Sequence, residues 1–246
     1  KYITNGEARQ YLWRHCHEEL VHNETIVVLI EAFDLDPDTV YFAYENSESV
    51  KEFAKSMTDK TSACSDLDIT KEEDIKKFVR LMVNYYLLTE GLFFYGCFCM
   101  GMSFGRRGVL RGFSKLLALN ARDEVNHVNS GVYLINKIKE QHPGIWTEEF
   151  QNILIEDMKQ GLELANKFNK EAVPDGILGL NHAMLEQYMK FIANDRLSAI
   201  NLKFRFKGAS NPFPWLSEQL DLQEMANFFE EKVVAYQHKS MLEDDF

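Results

Sequence analysis

The sequence contains few of the residues that interrupt helices. Five prolines and 13 glycines occur in 246 residues, and no segment of any length alternates apolar and polar residues with the two-residue period of a β-strand. Low proline content permits long helices, because proline removes a backbone hydrogen bond and clashes with the preceding turn. Since 46% of the residues are apolar, the chain can bury a sizeable core. We therefore predict one large all-α domain.

Positive charge is also scarce. Lys and Arg number 27 against 38 Asp and Glu, which leaves a net charge of −11 and argues against non-specific binding to nucleic acid. No signal-peptide pattern and no uninterrupted apolar span of membrane-crossing length occur, so we expect no membrane partner and a cytoplasmic location. The four cysteines lack disulfide-framework spacing and are expected to be reduced, buried thiols.

Apolar residues at helical spacing predict three long helices, at 7–33, 71–105 and 113–140. Five further helices are predicted at 38–44, 47–57, 146–173, 181–202 and 222–239. We expect a polar connection at 58–70 and a rigid apolar loop at 211–215. One domain would span 1–240, followed by an acidic C-terminal tail at 241–246.

Two Glu-x-x-His motifs occur, each in a predicted long helix: Glu19 with His22, and Glu124 with His127. Residues three apart share a face of a helix, so each pair can present one carboxylate and one imidazole to the same metal ion. Two such helices facing each other would form a two-metal site inside a bundle, the ligand pattern of di-iron and di-manganese carboxylate proteins. Carboxylates with neutral imidazoles suit iron and manganese better than metals that prefer thiolates.

A third carboxylate, Glu90, lies in the middle of the most apolar predicted helix. Residues 87–95 are apolar on nearly all faces, so this helix is expected to be buried all round. A buried carboxylate is costly unless it is paired or bound to a metal, and we therefore predict Glu90 as a further ligand. A single Glu-x-x-His is most often a surface ion pair, but two of them with a buried glutamate favour a metal site.

Asp123 precedes Glu124 and therefore points in another direction on the helix. We predict that it contacts the far nitrogen of His22, because metal-bound histidines commonly donate that N–H to a carboxylate. A solvated aspartate is the alternative. The other histidines have no carboxylate at the Glu-x-x-His spacing and are expected to be surface or core residues: His15, His17, His142, His182 and His238.

These motifs resemble those of the small, radical-generating subunit of class I ribonucleotide reductase. The matching stretches occur in order over essentially the whole chain: EARQYL at 7–12, EELVH at 18–22, YYLLTEGLFFY at 85–95, ARDE at 121–124 with His127, GILGL at 176–180, NPFPW at 211–215 and YQ at 236–237. The chain is most similar to the branch that uses an Mn/Fe centre instead of a tyrosyl radical.

The resemblance implies a ferritin-like helical bundle, a homodimer and a dinuclear metal centre activated by oxygen. The metals would be Mn/Fe or Fe/Fe, with Mn/Mn as a further option. The oxidising equivalent would pass to a cysteine of a separate large catalytic subunit, where ribonucleotides are reduced to deoxyribonucleotides. Asp123 would link His22 to the radical-transfer route. The metal ligands carried over by motif are Glu19, His22, Glu90, Glu124 and His127.

Two positions depart from the family pattern. Ile26 stands four residues after His22, where tyrosyl-radical members have tyrosine, and an aliphatic side chain cannot hold a radical at an accessible potential. Either the metal centre itself stores the oxidising equivalent, or the chain generates no radical. Leu119 stands where the Mn/Fe branch often has a tyrosine used in activation.

The family also has a helix upstream of these motifs, which supplies one more acidic ligand and a tryptophan of the transfer route. Residues 1–246 account for five of the six expected ligands and lack that N-terminal bundle helix. An uncovered helix face of this size would be a large apolar patch, which soluble proteins avoid. We expect the missing helix to be provided upstream in the same polypeptide or by a separate N-terminal fragment of the small subunit.

Two other functions remain as alternatives. A ferritin-like oxidase that binds a fatty-acid-like ligand would need a channel of small apolar residues, and Phe94 and Phe98, on the face of Glu90, argue against it. A metal-free scaffold or regulator of an active partner is favoured by Ile26 and Leu119 and disfavoured by the presence of all five predicted ligands.

Overall fold

The computed structural model of the protein describes residues 2–222. Helices make up more than two thirds of these residues, and the β-structure within them is limited to an isolated bridge between Ile177 and Leu180. The prediction of an all-α fold is confirmed. The predicted helix at 222–239 and the acidic tail at 241–246 lie almost wholly or wholly outside the described residues.

The described part of the chain forms nine helices. α1 spans Gly6–Ala32, α2 Pro37–Tyr41, α3 Ala43–Asn46, α4 Glu48–Ser62, α5 Glu72–Arg106, α6 Arg111–Gln141, α7 Glu148–Ala172, α8 His182–Ala199 and α9 Pro214–Leu222. A 3₁₀ turn, Pro143–Ile145, precedes α7. Asn5 begins α1 by accepting a hydrogen bond from the amide of Ala8, which satisfies one of the free N–H groups of a helix start.

Three local predictions differ from the structure. The connection predicted at 58–70 is helical as far as Ser62, because its polar residues include neither proline nor glycine to stop the helix. The loop predicted at 211–215 begins a helix at Pro214, since the fixed φ of proline suits the first helical position. The helix predicted at 38–44 is divided into two short helices at Phe42.

α5 is the core helix, and α6, α7 and α8 pack around it. Val79, Leu87, Leu92 and Cys99 of α5 are completely buried. Within the described residues α5 is also the one helix long and apolar enough to cross a membrane, a property that the sequence analysis missed. Of its apolar window, 78% is buried inside the protein, as expected for the core helix of a globular bundle, so the property is weak evidence for a membrane span. All four cysteines are free, and Cys64 and Cys99 are buried as predicted, whereas Cys16 is exposed.

The middle of α5, Val83–Phe93, is wound as a π-helix. A π segment shifts the register of the side chains that follow it and often occurs at functional sites. Gly91 permits the segment, because a Cβ atom there would lie 2.7 Å from the carbonyl oxygen of Tyr86. Arg196 of α8 donates a hydrogen bond from Nε to the carbonyl oxygen of Gly91 over 3.0 Å. Helical periodicity alone does not predict this segment, which carries Glu90.

An ion pair with a buried aspartate ties α5 to α7 at the start of this segment. Arg80 donates two hydrogen bonds of 2.7 Å to the carboxylate of Asp157, and Asn84 donates a third over 2.9 Å. The Asp157 side chain is only 3% exposed, so its charge depends on these donors. The contacts hold the π segment of α5 in a fixed position.

α1 presents a polar face to the core and an apolar face to the outside. Its buried residues are His15, His22, Thr25 and Ile30, whereas Trp13 is 73% exposed and Leu20 56%. Residues seven apart on a helix lie on one side, and the exposed apolar residues follow that spacing. We refer to them as the α1 stripe: Trp13, Leu20, Val21, Val27 and Val28. A surface helix of a globular protein has the opposite arrangement, with its apolar face toward the core and its polar face toward solvent.

Candidate metal centre

Histidines and glutamates from α1, α5 and α6 meet in the core. Their potential ligand atoms form two groups, and within each group all the atoms lie within 4.8 Å of one another. Glu19 belongs to both groups, so two metal positions built from them would share this carboxylate. The first group is Glu19, His22 and Glu124, and the second is His15, Glu19, Glu90 and His127. The five residues predicted as ligands therefore lie together, with His15 as an additional member.

The two predicted histidines turn the same nitrogen inward. Nδ1 of His22 lies 3.3 Å from Oε1 of Glu124 and 3.5 Å from Oε1 of Glu19. Nδ1 of His127 lies 3.3 Å from Oε1 of Glu19 and 3.3 Å from Oε2 of Glu124. Each Glu-x-x-His motif thus directs one nitrogen and one carboxylate toward the same point between the helices.

The outer nitrogens of these histidines face two acids. Nε2 of His22 lies 3.5 Å from Oδ2 of Asp123, within ion-pair distance but without a hydrogen bond, and Nε2 of His127 lies 3.0 Å from Oε2 of Glu18. Each acid immediately precedes a predicted ligand glutamate and contacts the histidine of the opposite helix. The sequence analysis identified Asp123 but missed Glu18, although the same argument applies to both.

His15 is a core residue, but it is not separate from the site as the sequence analysis expected. Its side chain is buried, and Nε2 lies 3.0 Å from Oε1 of Glu90 and 3.6 Å from Oε1 of Glu19. Its ring stacks on that of His127 with 3.7 Å between centroids. The four-residue spacing between His15 and Glu19 also places two side chains on one helix face. A search limited to Glu-x-x-His omits that spacing.

Two buried carboxylate oxygens of the cluster make no hydrogen bond, although Nδ1 of His127 lies 3.3 Å from one and 4.0 Å from the other. Oε1 of Glu19 and Oε2 of Glu90 are inaccessible to solvent and have no hydrogen-bond partner. A buried polar atom without a partner costs free energy, and a cation between the carboxylates would satisfy both oxygens. Carboxylate oxygens with imidazole nitrogens are suitable donors for iron and manganese. The residues therefore fit a metal centre, and the two overlapping groups are compatible with a dinuclear one.

Contacts within the cluster shift the pKa values of its members. Burial alone would raise the pKa of Glu19, but the imidazoles of His127, His15 and His22 lower it well below its usual range. Burial would lower the pKa of His22, but its carboxylate neighbours Asp123, Glu124 and Glu19 raise it to about 11. The pKa of His127 is raised in the same way to about 10. Without a metal, these imidazoles hold protons at neutral pH and serve as counter-ions.

We expect metal affinity to increase with pH, because a metal must displace the protons of His22 and His127. Each displaced proton contributes about a tenfold gain per pH unit below the pKa. The stability of the metal-free protein should change in the opposite direction. Its histidines have pKa values above the ordinary 6.5, so their stabilising effect is lost as the pH rises from about 6.5 toward 11.

Titration calorimetry with Mn²⁺ in two buffers of different ionisation enthalpy counts the released protons. Thermal melting in the presence of a chelator follows the stability of the metal-free form. An affinity for Mn²⁺ that stays constant between about pH 6.5 and 8.5 would contradict the assignment of protonated imidazoles in the metal-free site.

Two tyrosines of the π segment adjoin the cluster. The rings of Tyr85 and Tyr86 lie 5.9 Å and 5.6 Å from that of His15, between centroids. Burial, followed by the charge of Glu90, raises the pKa of Tyr85 far above its usual range, so its phenol remains protonated. Ile26 is 39% exposed.

Comparison with known proteins identifies the family. The family model for the ribonucleotide reductase small chain matches residues 1–212. The beta subunit of ribonucleoside-diphosphate reductase from Chlamydia pneumoniae is 39% identical over 241 residues, which cover 96% of this chain and 69% of that protein. The small chain of the enzyme from Nicotiana tabacum is 26% identical over 245 residues, which cover 98% of this chain and 68% of its own length.

Solved structures agree with this result. The R2 subunit of ribonucleotide reductase from Clostridium botulinum superposes with a TM-score of 0.79 at 26% identity, over 89% of this chain and 68% of that one. The ferritin-like fold expected from the sequence is thereby confirmed. The protein belongs to the ribonucleotide reductase small-chain family.

Proposed function

We propose that this small subunit of ribonucleotide reductase holds a dinuclear metal centre activated by oxygen. The observation that supports it is the pair of overlapping ligand groups that share Glu19 and contain buried oxygens without a partner. When bound, the centre supplies the oxidising equivalent with which the large catalytic subunit begins ribonucleotide reduction. The proposed protein ligands are Glu19, His22, Glu90, Glu124 and His127.

The residues around the ligands orient them and exclude water. Glu19 belongs to both ligand groups and would supply a carboxylate to each metal. Asp123 and Glu18 face the outer nitrogens of His22 and His127, which keeps Nδ1 of each ring directed inward. Glu90 and Glu124 are almost completely buried, so solvent has little access to the centre from the α5 and α6 side.

We infer that Asp123 also lies on the route by which the oxidising equivalent leaves the site. The variant Asp123→Asn keeps the shape of the side chain but removes its charge. Ribonucleotide reduction with the large subunit is expected to fall by about 100-fold at equal metal content, the upper range for loss of an outer partner of a ligand histidine. Glu18→Gln makes the matching change beside His127 and should cost less activity per bound metal. Equal losses in the two variants would contradict a special role for Asp123.

We further propose that the subunit belongs to the branch that uses Mn/Fe rather than a tyrosyl radical, with Fe/Fe and Mn/Mn as the other metal combinations. Ile26 supports this assignment, because it cannot be oxidised to a stable radical. The subunit would function in the cytoplasm as a homodimer.

This assignment predicts the paramagnetic resonance spectrum of oxygen-treated protein loaded with metal. No tyrosyl doublet is expected, because position 26 carries isoleucine. Tyr85→Phe serves as a control, because the Tyr85 ring is close to His15. This variant should leave the spectrum unchanged. A narrow doublet that disappears in Tyr85→Phe or in Tyr95→Phe would relocate the oxidising equivalent to that residue and overturn the assignment.

We also propose that the sixth acidic ligand and a cover for α1 come from the family's N-terminal bundle helix, supplied in the same polypeptide or as a separate fragment. Two features support this: the group of Glu19, His22 and Glu124 offers only three ligands, and the α1 stripe is exposed. An additional helix on this side would supply a fourth ligand to that group and would bury the α1 stripe.

A further inference from the structure

We propose that His15 is itself a metal ligand, the fourth protein ligand of the position formed by Glu19, Glu90 and His127. This rests on the proposed dinuclear centre and adds to it a residue that the Glu-x-x-His motifs do not include. The metal position in the second group would then have two nitrogen and two carboxylate ligands, all from described residues.

The position of Nε2 of His15 is the first argument. It lies 3.0 Å from Oε1 of Glu90 and 3.6 Å from Oε1 of Glu19, and the four potential ligand atoms of this group lie within 4.8 Å of one another. Two ligands of one ion are each roughly 2 Å from it and therefore about 4 Å apart at most. Only small side-chain movements are needed to place one ion among all four atoms.

The second argument is the unsatisfied oxygen of Glu90. If His15 only donated a hydrogen bond to Oε1 of Glu90, Oε2 of Glu90 would remain buried without a hydrogen-bond partner. An ion held by Nε2 of His15 would contact the carboxylates of Glu90 and Glu19 and satisfy this oxygen. Glu90 is 1% exposed and His15 4% exposed. Bulk water therefore has no access with which to satisfy the free oxygen of Glu90.

The surroundings hold the His15 ring in this orientation. It stacks on the ring of His127 at 3.7 Å with an angle of 24° between the planes, and the ring centroids of Tyr85 and Tyr86 lie 5.9 Å and 5.6 Å from its own. His15 also stands one helical turn before Glu19, so the backbone of α1 fixes both side chains on one face. A ligand fixed in this way loses little freedom when a metal binds.

The two metal positions consequently differ in strength. The group with His15 offers four protein ligands, whereas the group of Glu19, His22 and Glu124 offers three and leaves room for a further ligand. Four protein ligands are typical of a closed site and three of an open one. The first Mn²⁺ bound per chain should therefore occupy the position with His15, and the second should bind more weakly.

Mn²⁺ titration of His15→Gln tests the proposal, with His17→Gln as the matched control because His17 is exposed on the same helix. Gln can still donate a hydrogen bond to Glu90 but is a poor metal ligand. Affinity for the first Mn²⁺ should fall by more than about 100-fold, the upper range for loss of an outer hydrogen bond. His17→Gln should bind as the wild type does. Unchanged affinity in His15→Gln would overturn the proposal.

Pulsed paramagnetic resonance at one Mn²⁺ per chain, with ¹⁵N-labelled histidine, provides a test that needs no variant. Two coupled nitrogens are expected in the wild type, and one in His15→Gln. A single nitrogen in the wild type would show that His15 does not bind the metal, while the proposed dinuclear centre would stand. If the wild-type protein bound no Mn²⁺ at all, the proposed function itself would fail.

Discussion

Replacing Glu19 by alanine is expected to abolish metal binding at both positions. Glu19 is the one residue shared by the two ligand groups, and its loss leaves each group without a central carboxylate. Glu90→Ala should remove only one metal, because Glu90 belongs to a single group. The metal content of purified, metal-loaded protein, measured by plasma mass spectrometry, distinguishes the two variants.

The matched control for this experiment is Glu24→Ala, which removes an exposed glutamate from the same helix. With the N-terminal bundle helix supplied to every variant, Glu24→Ala should retain two metals per chain, because Glu24 is exposed and belongs to neither ligand group. Two metals in Glu90→Ala, or one tightly bound metal in Glu19→Ala, would refute the ligand assignment. Circular dichroism of each variant establishes that the helices remain folded.

The exposed α1 stripe is expected to have a large effect on metal binding and on stability. Residues 1–246 by themselves are expected to bind metal weakly, to expose apolar surface and to aggregate, because the α1 stripe faces solvent. Addition of the N-terminal bundle helix, in the same polypeptide or as a separate chain, should restore two-metal occupancy. The melting temperature should rise as well, since a partner that binds only the folded state stabilises it.

Polar substitutions in the α1 stripe distinguish aggregation caused by its exposed apolar surface from aggregation caused by general instability of the fold. Leu20→Gln together with Val27→Gln should reduce aggregation of residues 1–246 and weaken the response to the added helix. Tyr41→Gln, at an exposed apolar residue of α2, should change neither property. If residues 1–246 bind two metals tightly and melt cooperatively without addition, the proposal of an additional helix is wrong. A stable dimer that protects the stripe would assign that surface to a second copy.

Much of the fold and part of the site could be predicted from local sequence. Long helices follow from scarce proline and from apolar residues at helical spacing, and these depend only on the backbone geometry of a single helix. The pairing of Glu with His at three residues is equally local, because one turn of helix places both on the same face. The apolar residues on either side of Glu90 in the sequence likewise indicate a buried carboxylate.

Other features depend on how the helices meet. His15 joins the cluster because α1 lies against the π segment of α5, and the contact between Glu18 and His127 depends on the distance between α1 and α6. Spacing along one helix contains no information about that distance. The π segment itself is stabilised by a donor from α8, Arg196, which lies 105 residues away from Gly91 in the sequence.

Local sequence was sufficient to predict the long helices, the face on which each ligand lies and the kinds of ligand atom that the site offers. Only the packing of the helices shows that Glu19 is common to two groups, that His15 is a member of one of them, and that the apolar residues of α1 point outward. Ligand sharing and burial are properties of packed surfaces. They arise from the relative positions of helices that are distant in sequence, whereas helix formation and side-chain direction are decided within a few residues.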